Sequence, residues 1–191
     1  MPPADPRDQG STRFPPPVDI ALHNAGWTPG RWNIKQAEQW ADALRDHASP
    51  AGHRHSVFPA AVEAWAEFGG LHITASGPGR HIAPTPFAVD PLHGLHLART
   101  LGDLGRALDT HVAPLGQELL SSSQAAGSPQ ALLAIDTEGR VYSLDHTGDW
   151  YLGPDLDHAL GTLVLGTRPT RLTVPTPPAP EAHGTAVPAG A

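Results

Sequence analysis

The chain has 191 residues, of which 39% are apolar and 6% aromatic, with 22 prolines, 20 glycines and no cysteine. This length predicts one domain, and the missing cysteines exclude disulfide bonds, thiolate metal sites and a cysteine nucleophile. The formal charge of −7 argues against a nucleic-acid or anionic-membrane partner, since such surfaces need clustered Lys and Arg.

The two ends of the chain differ in composition from the middle. Residues 1–17 and 172–191 are rich in proline and poor in large apolar side chains, which predicts two disordered tails around a domain at 18–171. No apolar run reaches the roughly 20 residues of a membrane span, and the first residues lack the apolar core of a secretory signal. The expected location is therefore the cytoplasm, with which the absence of cysteine agrees.

The first half of the domain is predicted to be helical. Asn33 is suited to cap a helix whose apolar positions recur at helical spacing, namely Ile34, Ala37, Trp40, Ala41 and Leu44. A second helix is predicted with Ser56 as its cap and Pro59 in its first turn. It ends at Gly69-Gly70, because this pair supplies a residue with positive φ. The stretch Val62–Ile73 joins that helix to a strand, so we expect the helices to dock on a sheet there.

The second half is predicted to be mostly antiparallel strands. Short strands at about 71–75 and 87–89 precede a third helix at about 100–111. The clearest signal is a β-hairpin, in which two strands at 131–135 and 140–144 flank a turn that ends in Gly139. A third strand is expected at 150–152, and a closing helix begins at Asp155 or Asp157 and ends at Gly166. This order of elements predicts an α+β fold, with N-terminal helices packed on a mostly antiparallel sheet.

No motif of a known enzyme class stands out. The closest histidine pairs, His53/His55 and His93/His96, lack the helical spacing and the carboxylate of zinc hydrolases. Ser121–Ser123 lacks the Gly-x-Ser-x-Gly pattern of a hydrolase nucleophile. We therefore expect no catalytic, cofactor-binding or metal-binding residue, and a histidine-dependent hydrolase is kept as a minor alternative.

An acidic stretch with aromatic residues follows the predicted hairpin. Between Asp136 and Asp157 there are six carboxylates and one cation, Arg140. The candidate partner-binding residues are Asp136, Glu138, Tyr142, Asp145, Asp149, Trp150, Tyr151 and Asp155. This combination suits an interface for a basic protein, because carboxylates attract the partner during association and aromatic side chains contribute most of the contact energy. A second interpretation stays open, in which the carboxylates serve turn geometry and the aromatic side chains pack in the core.

Several short motifs occur in a characteristic order. They are AGWTPGR at Ala25–Arg31, EFGGL at Glu67–Leu71, Asp90-Pro91, PLG at Pro114–Gly116, DTEGRVY at Asp136–Tyr142 and the closing helix at 153–166. In this order, over about residues 21–171, the chain resembles the SUKH superfamily, in particular its third-type immunity proteins. The resemblance implies structural roles for Gly26, Trp27, Pro29, Gly30, Arg31, Phe68, Gly69, Gly70, Pro114, Gly116 and Gly139.

The resemblance also implies a function. It implies a single α+β domain that binds and neutralises a secreted bacterial toxin, often a nuclease, without catalytic residues or a cofactor. The expected partner is a basic toxin domain, and the oligomeric state is left open. The alternative is a general protein-interaction or regulatory module on the same scaffold, with a cellular partner other than a toxin.

Overall fold

A computed structural model describes residues 13–119 and 131–173 of the chain. Most of the two predicted tails (1–12 and 174–191) and the Ser121–Ser123 segment lie outside the described residues. The helices are α1 (Pro16–Asn24), α2 (Ile34–Asp46), α3 (Pro59–Phe68), α4 (Ala98–Leu108) and α5 (Leu156–Leu165), with a short 3₁₀ helix at Pro91–Gly94. The strands are β1 (His72–Ile73), β2 (Phe87–Ala88), β3 (Val112–Glu118), β4 (Leu132–Asp136), β5 (Val141–Asp145), β6 (Gly148–Gly153) and β7 (Thr170–Arg171).

Within the described residues, the seven strands form one sheet whose spatial order follows the chain order, and every neighbouring pair is antiparallel. The α+β fold predicted from the sequence is confirmed. The predicted hairpin is present as β4 and β5, and the predicted third strand is β6. Consecutive strands therefore pair as a meander, with the helices added before, between and after them.

The sheet is covered on both faces, which explains the unbroken apolar run in β4. Leu133 and Ile135 face the larger core, while Leu132 and Ala134 face a smaller core on the opposite side. The larger core lies under α1, α3 and α5, with α2 packed against α3, and α4 packs on β3 from the other side. Strands that are buried on both faces lose the alternating pattern of half-buried strands.

The folded part of the chain begins earlier than the sequence predicts. The helix α1 starts at Pro16, and Phe14 before it is only 2% exposed, with its ring edge-on to Trp27 at 5.2 Å and to Phe68 at 6.4 Å. The end of the expected disordered tail at 1–17 therefore overlaps folded structure, since α1 begins at Pro16 and Phe14 is buried. An aromatic side chain that enters an aromatic cluster helps to order this short segment, and proline is favourable in the first turn of a helix.

The two predicted helix caps have different outcomes. Asn33 caps α2 as predicted, because its side chain accepts a hydrogen bond from the Gln36 N–H at 3.2 Å. Ser56 does not cap α3; its hydroxyl lies 3.3 Å from His111 Nδ1, and Phe58 occupies the N-cap position. Pro114 lies inside β3, where a register shift between Pro114 and Gly116 accommodates its missing N–H.

Candidate partner-binding surface

Two of the eight predicted partner-binding residues are buried. Asp136 is 0% exposed and Tyr142 is 2% exposed. The Asp136 carboxylate accepts hydrogen bonds from the N–H of Glu138 at 3.0 Å, the N–H of Arg140 at 2.9 Å, Arg140 Nε at 2.6 Å and the Tyr142 hydroxyl at 2.9 Å. These two residues therefore hold the β4–β5 turn in place and are not available at the surface. Their prediction as partner-binding residues is corrected accordingly.

Asp145 organises the next turn of the sheet. Its carboxylate accepts hydrogen bonds from the N–H and the hydroxyl of Thr147 at 2.6 and 2.5 Å, and from the N–H of Gly148 at 3.1 Å. Burial alone would raise the pKa of this carboxyl group, but the hydrogen bonds from Thr147, with help from Trp150 and Gly148, lower it overall. For this residue, as for Asp136, the carboxylate serves turn geometry.

Three further candidates, Asp149, Trp150 and Tyr151, lie half-buried on β6. The Arg171 guanidinium lies over the Trp150 ring at 5.7 Å, and the Tyr151 ring packs 5.8 Å from that of Tyr142. Burial raises the pKa of Asp149, and the nearby charge of Asp145 adds to the effect. The chain's own groups thus already contact much of these side chains.

The remaining two candidates, Glu138 and Asp155, lie in a cleft on another part of the surface. The cleft runs between α3, the β4–β5 turn and the start of α5, and its volume is about 410 Å³. Five carboxylates and one guanidinium line it: Glu63, Glu67, Glu138, Asp155, Asp157 and Arg13. We call this region the acidic cleft. The predicted acidic stretch includes three of its carboxylates (Glu138, Asp155 and Asp157), whereas the sequence analysis missed Glu63 and Glu67, since α3 contributes them from a distant part of the chain.

Arg13 forms ion pairs with two of the five carboxylates and offsets one of their negative charges. Its guanidinium donates to Glu67 at 2.5 and 3.3 Å and to Asp157 at 2.6 and 2.7 Å, and it lies over the rings of Phe14 and Phe68 at 5.0 and 5.6 Å. The hydrogen bonds to Asp157 raise the pKa of this guanidinium; burial lowers it by less, and Glu67 adds to the rise. The ion pairs tie the segment before α1 to α3 and α5.

The other three carboxylates differ in their partners. Glu138 forms an ion pair with Arg140 Nη1 at 3.2 Å and has a side chain that is 68% exposed. Asp155 caps α5 by accepting from the His158 N–H at 2.9 Å, and His158 Nδ1 lies 2.7 Å from the same carboxylate. Burial alone would raise the pKa of Asp155, but these hydrogen bonds from His158 lower it overall. Glu63 has no ion-pair partner among the described residues.

A tryptophan that the sequence analysis did not single out lies at the same cleft. Trp32 lines it and is 54% exposed. The loop that carries Trp32 is tied to the end of α3: Arg31 donates to the carbonyl oxygens of Glu67 and Gly69 at 2.5 and 2.7 Å, and the Asn33 N–H donates to that of Ala66 at 2.8 Å. One feature of the sequence could have identified Trp32. It lies between the turn at Thr28–Arg31 and α2, and it is not part of the apolar stripe of α2.

The histidines form a cluster that the sequence pairs did not predict. The ring of His47 lies 6.1 Å from that of His55 and 5.0 Å from that of His96. His55 Nε2 donates to the Leu95 carbonyl at 2.7 Å, while its Nδ1 is buried without a hydrogen-bond partner. Over residues 13–119 and 131–173, no group of three or more His, Asp or Glu side chains is arranged to hold a metal ion. In the same part of the chain, no helix has the length and apolar character that crossing a membrane requires.

Comparison with known proteins gives one family. The model of the SUKH-3 immunity protein family matches residues 14–166. The match begins at Phe14, the first buried side chain of the described structure, and ends at Gly166, the C-cap of α5. No curated protein and no solved structure matches the chain.

Proposed function

Because the chain belongs to the SUKH-3 immunity protein family, we propose that it binds a cognate bacterial toxin domain and neutralises it by occlusion. In this proposal the partner is a basic domain, such as a nuclease, and the acidic cleft is the surface that meets it. The chain acts as a binding protein in the cytoplasm of the toxin-producing cell or its kin, as one component of a polymorphic toxin system. It needs neither a catalytic residue nor a cofactor for this role.

The observation that carries the proposal is the charge of the acidic cleft, taken together with the family. A toxin that acts on nucleic acid needs a basic groove for phosphates. A surface with more carboxylates than cations is complementary to such a groove, speeds encounter and blocks access of the substrate. In the acidic cleft, Arg13 neutralises only part of the negative charge, so an attractive field remains for a basic partner.

The first test is neutralisation. The chain is co-expressed with the C-terminal domain of the toxin-like protein encoded beside it, and growth and 1:1 complex formation are measured. We expect growth to be restored and the complex to weaken as salt concentration rises, because salt screens exposed charges. Failure of the chain to bind this domain or to restore growth contradicts the proposed function. Capture of another cellular protein would then favour a general interaction module.

Charge reversal tests the location of the interface. The double variant Glu63→Lys/Glu138→Lys reverses two carboxylates of the acidic cleft, and we expect it to weaken binding by about 10-fold or more at low salt. The matched control, Glu38→Lys/Asp42→Lys, makes the same change of net charge at exposed positions of α2 outside the cleft. Equal losses for the two variants would assign the effect to net charge alone and contradict this location.

A further inference from the structure

We propose that Trp32 and the acidic cleft together form a binding site for an arginine side chain of the partner protein, with Trp32 as the central contact. This inference rests on the proposed function, because it names the chemistry of the partner at the same surface. Three separate features carry it: the exposure of the indole, the rigidity of its loop and the way in which the cleft already holds one guanidinium.

The exposure of Trp32 sets it apart from the other tryptophans of the chain. Trp27, Trp40 and Trp65 are buried in the larger core, and Trp150 is half-buried beneath Arg171. Leaving a large aromatic side chain partly in water forgoes the hydrophobic free energy that burial would supply. Tryptophan is also the residue most enriched among the positions that dominate the energy of protein interfaces. An exposed indole at the edge of a cleft is therefore well placed to be buried by a partner.

The loop of Trp32 is held in place before any partner arrives. Hydrogen bonds from Arg31 and Asn33 fix it to the carbonyl oxygens of Ala66, Glu67 and Gly69 at the end of α3. Ordering a mobile side chain or loop on binding costs free energy, and a surface that is already ordered avoids most of that cost. Trp32 is thus a preorganised contact, like the rigid aromatic side chains of antibody binding sites.

The cleft already binds one guanidinium group. Arg13 lies between the carboxylates of Glu67 and Asp157 and over the rings of Phe14 and Phe68. In this arrangement carboxylates lie at the edge of the planar guanidinium and an aromatic ring lies at its face. Such a site favours arginine over lysine. Trp32 and Glu63 offer a second aromatic face and a carboxylate without an ion-pair partner in the same cleft.

A peptide titration tests the chemistry of the site without the toxin. The full chain is titrated with hexa-arginine, hexa-lysine and hexa-glutamate peptides, and the indole N–H signals are followed by NMR, with the Trp32 signal assigned from Trp32→Phe. We expect hexa-arginine to shift the Trp32 signal and to bind several-fold more tightly than hexa-lysine, with no binding of hexa-glutamate. Equal binding of the two basic peptides, or no shift of the Trp32 signal, overturns the proposal.

Substitutions then test the two members of the site. Trp32→Ala and Glu63→Gln should each weaken hexa-arginine binding several-fold without lowering the melting temperature, because both side chains are at least partly exposed. The control is Ile20→Ala, which removes an exposed apolar side chain outside the cleft and should leave binding unchanged. Unchanged affinity in the Trp32→Ala variant overturns the proposal.

The cognate toxin domain separates this inference from the function on which it rests. We expect Trp32→Ala to weaken the complex by about 10-fold or more, mostly through faster dissociation. If the native chain binds and neutralises the toxin but Trp32→Ala binds equally well, the arginine site is wrong and the proposed function stands. If the native chain does not bind the toxin at all, the proposed function fails, and the peptide titration still decides the chemistry of the cleft.

Discussion

The acidic side chains from the end of β4 onward differ in what their oxygen atoms bond to. The Asp136 carboxylate accepts hydrogen bonds from four donors at the β4–β5 turn. The Asp145 carboxylate accepts hydrogen bonds from Thr147 and Gly148 in the β5–β6 turn. Glu138 lies between them in sequence and is largely exposed. Sequence alone shows six similar carboxylates, whereas the hydrogen bonds divide them into residues that shape turns and residues that face solvent.

Removal of the Asp136 carboxylate is expected to destabilise the fold. Asp136→Ala leaves the buried Tyr142 hydroxyl without its acceptor and removes the buried partner of Arg140 Nε, and such losses cost about 3 kcal/mol or more. Urea unfolding followed by circular dichroism measures the free energy of unfolding. Asp103→Ala, at an exposed ion pair with Arg106, is the control and should change it by less than about 0.5 kcal/mol. A loss below about 1 kcal/mol for Asp136→Ala would show that water replaces the missing acceptor.

The two glycines after α3 are predicted to resist substitution for different reasons. A side chain at Gly69 would overlap the Trp40 ring and the Trp65 carbonyl oxygen, while Gly70 has open space around it but a φ of +80°. We expect Gly70→Ala to cost about 1 kcal/mol of unfolding free energy and Gly69→Ala to cost more. Thermal unfolding of both variants checks the order. A larger loss at Gly70 would mean that the backbone conformation, and not the packing of Trp40, limits this corner.

At the scale of elements, the sequence predicts best where local signals and packing agree. The helix α2 has both a cap and an apolar stripe, and the β4–β5 hairpin has a turn sequence between two apolar runs. The helix α1 was missed because its proline-rich start has the composition of a disordered tail. Its order depends on Phe14 reaching Trp27 and Phe68, which are distant in sequence. The acidic cleft was predicted only in part, because it also depends on contacts between residues that are distant in sequence. Periodicity does not show which carboxylates of α3 lie near those of α5.

The histidine cluster is expected to make this corner of the fold sensitive to acid. It joins the end of α2 to the segments around His55 and His96. Burial lowers the pKa of His55 below the ordinary histidine value of 6.5; the hydrogen bond to Leu95 opposes this, and the charges of His47 and His96 add to it. A histidine with a depressed pKa binds fewer protons in the folded state, so the free energy of unfolding should fall as pH drops below about 6.5.

A substitution at the cluster checks the source of this pH dependence. His55→Gln removes the titrating group and keeps a donor for the Leu95 carbonyl, so we expect a flatter profile of unfolding free energy between about pH 7 and 5. His146→Gln, at an exposed position of the β5–β6 turn, serves as the control and should leave the profile unchanged. Parallel profiles for the native chain and His55→Gln would assign the acid sensitivity to other groups.

At the scale of the whole molecule, the two faces of the sheet are covered to different extents. Three helices and the larger core cover one face, and α4 with a smaller core covers the other. The acidic cleft and Trp32 lie beside α3, β4 and α5, so the proposed site rests on elements that pack in the larger core. A rigid scaffold beneath a binding surface keeps the contact residues in a fixed geometry.

The order of the strands has a consequence for how the chain acquires its structure during synthesis. Each strand pairs with the strand before it in sequence, so a newly emerged strand finds its partner already present. Pairing between sequence neighbours closes shorter loops than pairing between strands from opposite ends of the chain, and topologies with closer contacts in sequence fold faster. The sheet can therefore assemble from β1 toward β7 as the ribosome delivers it, with α5 covering the larger core near the end.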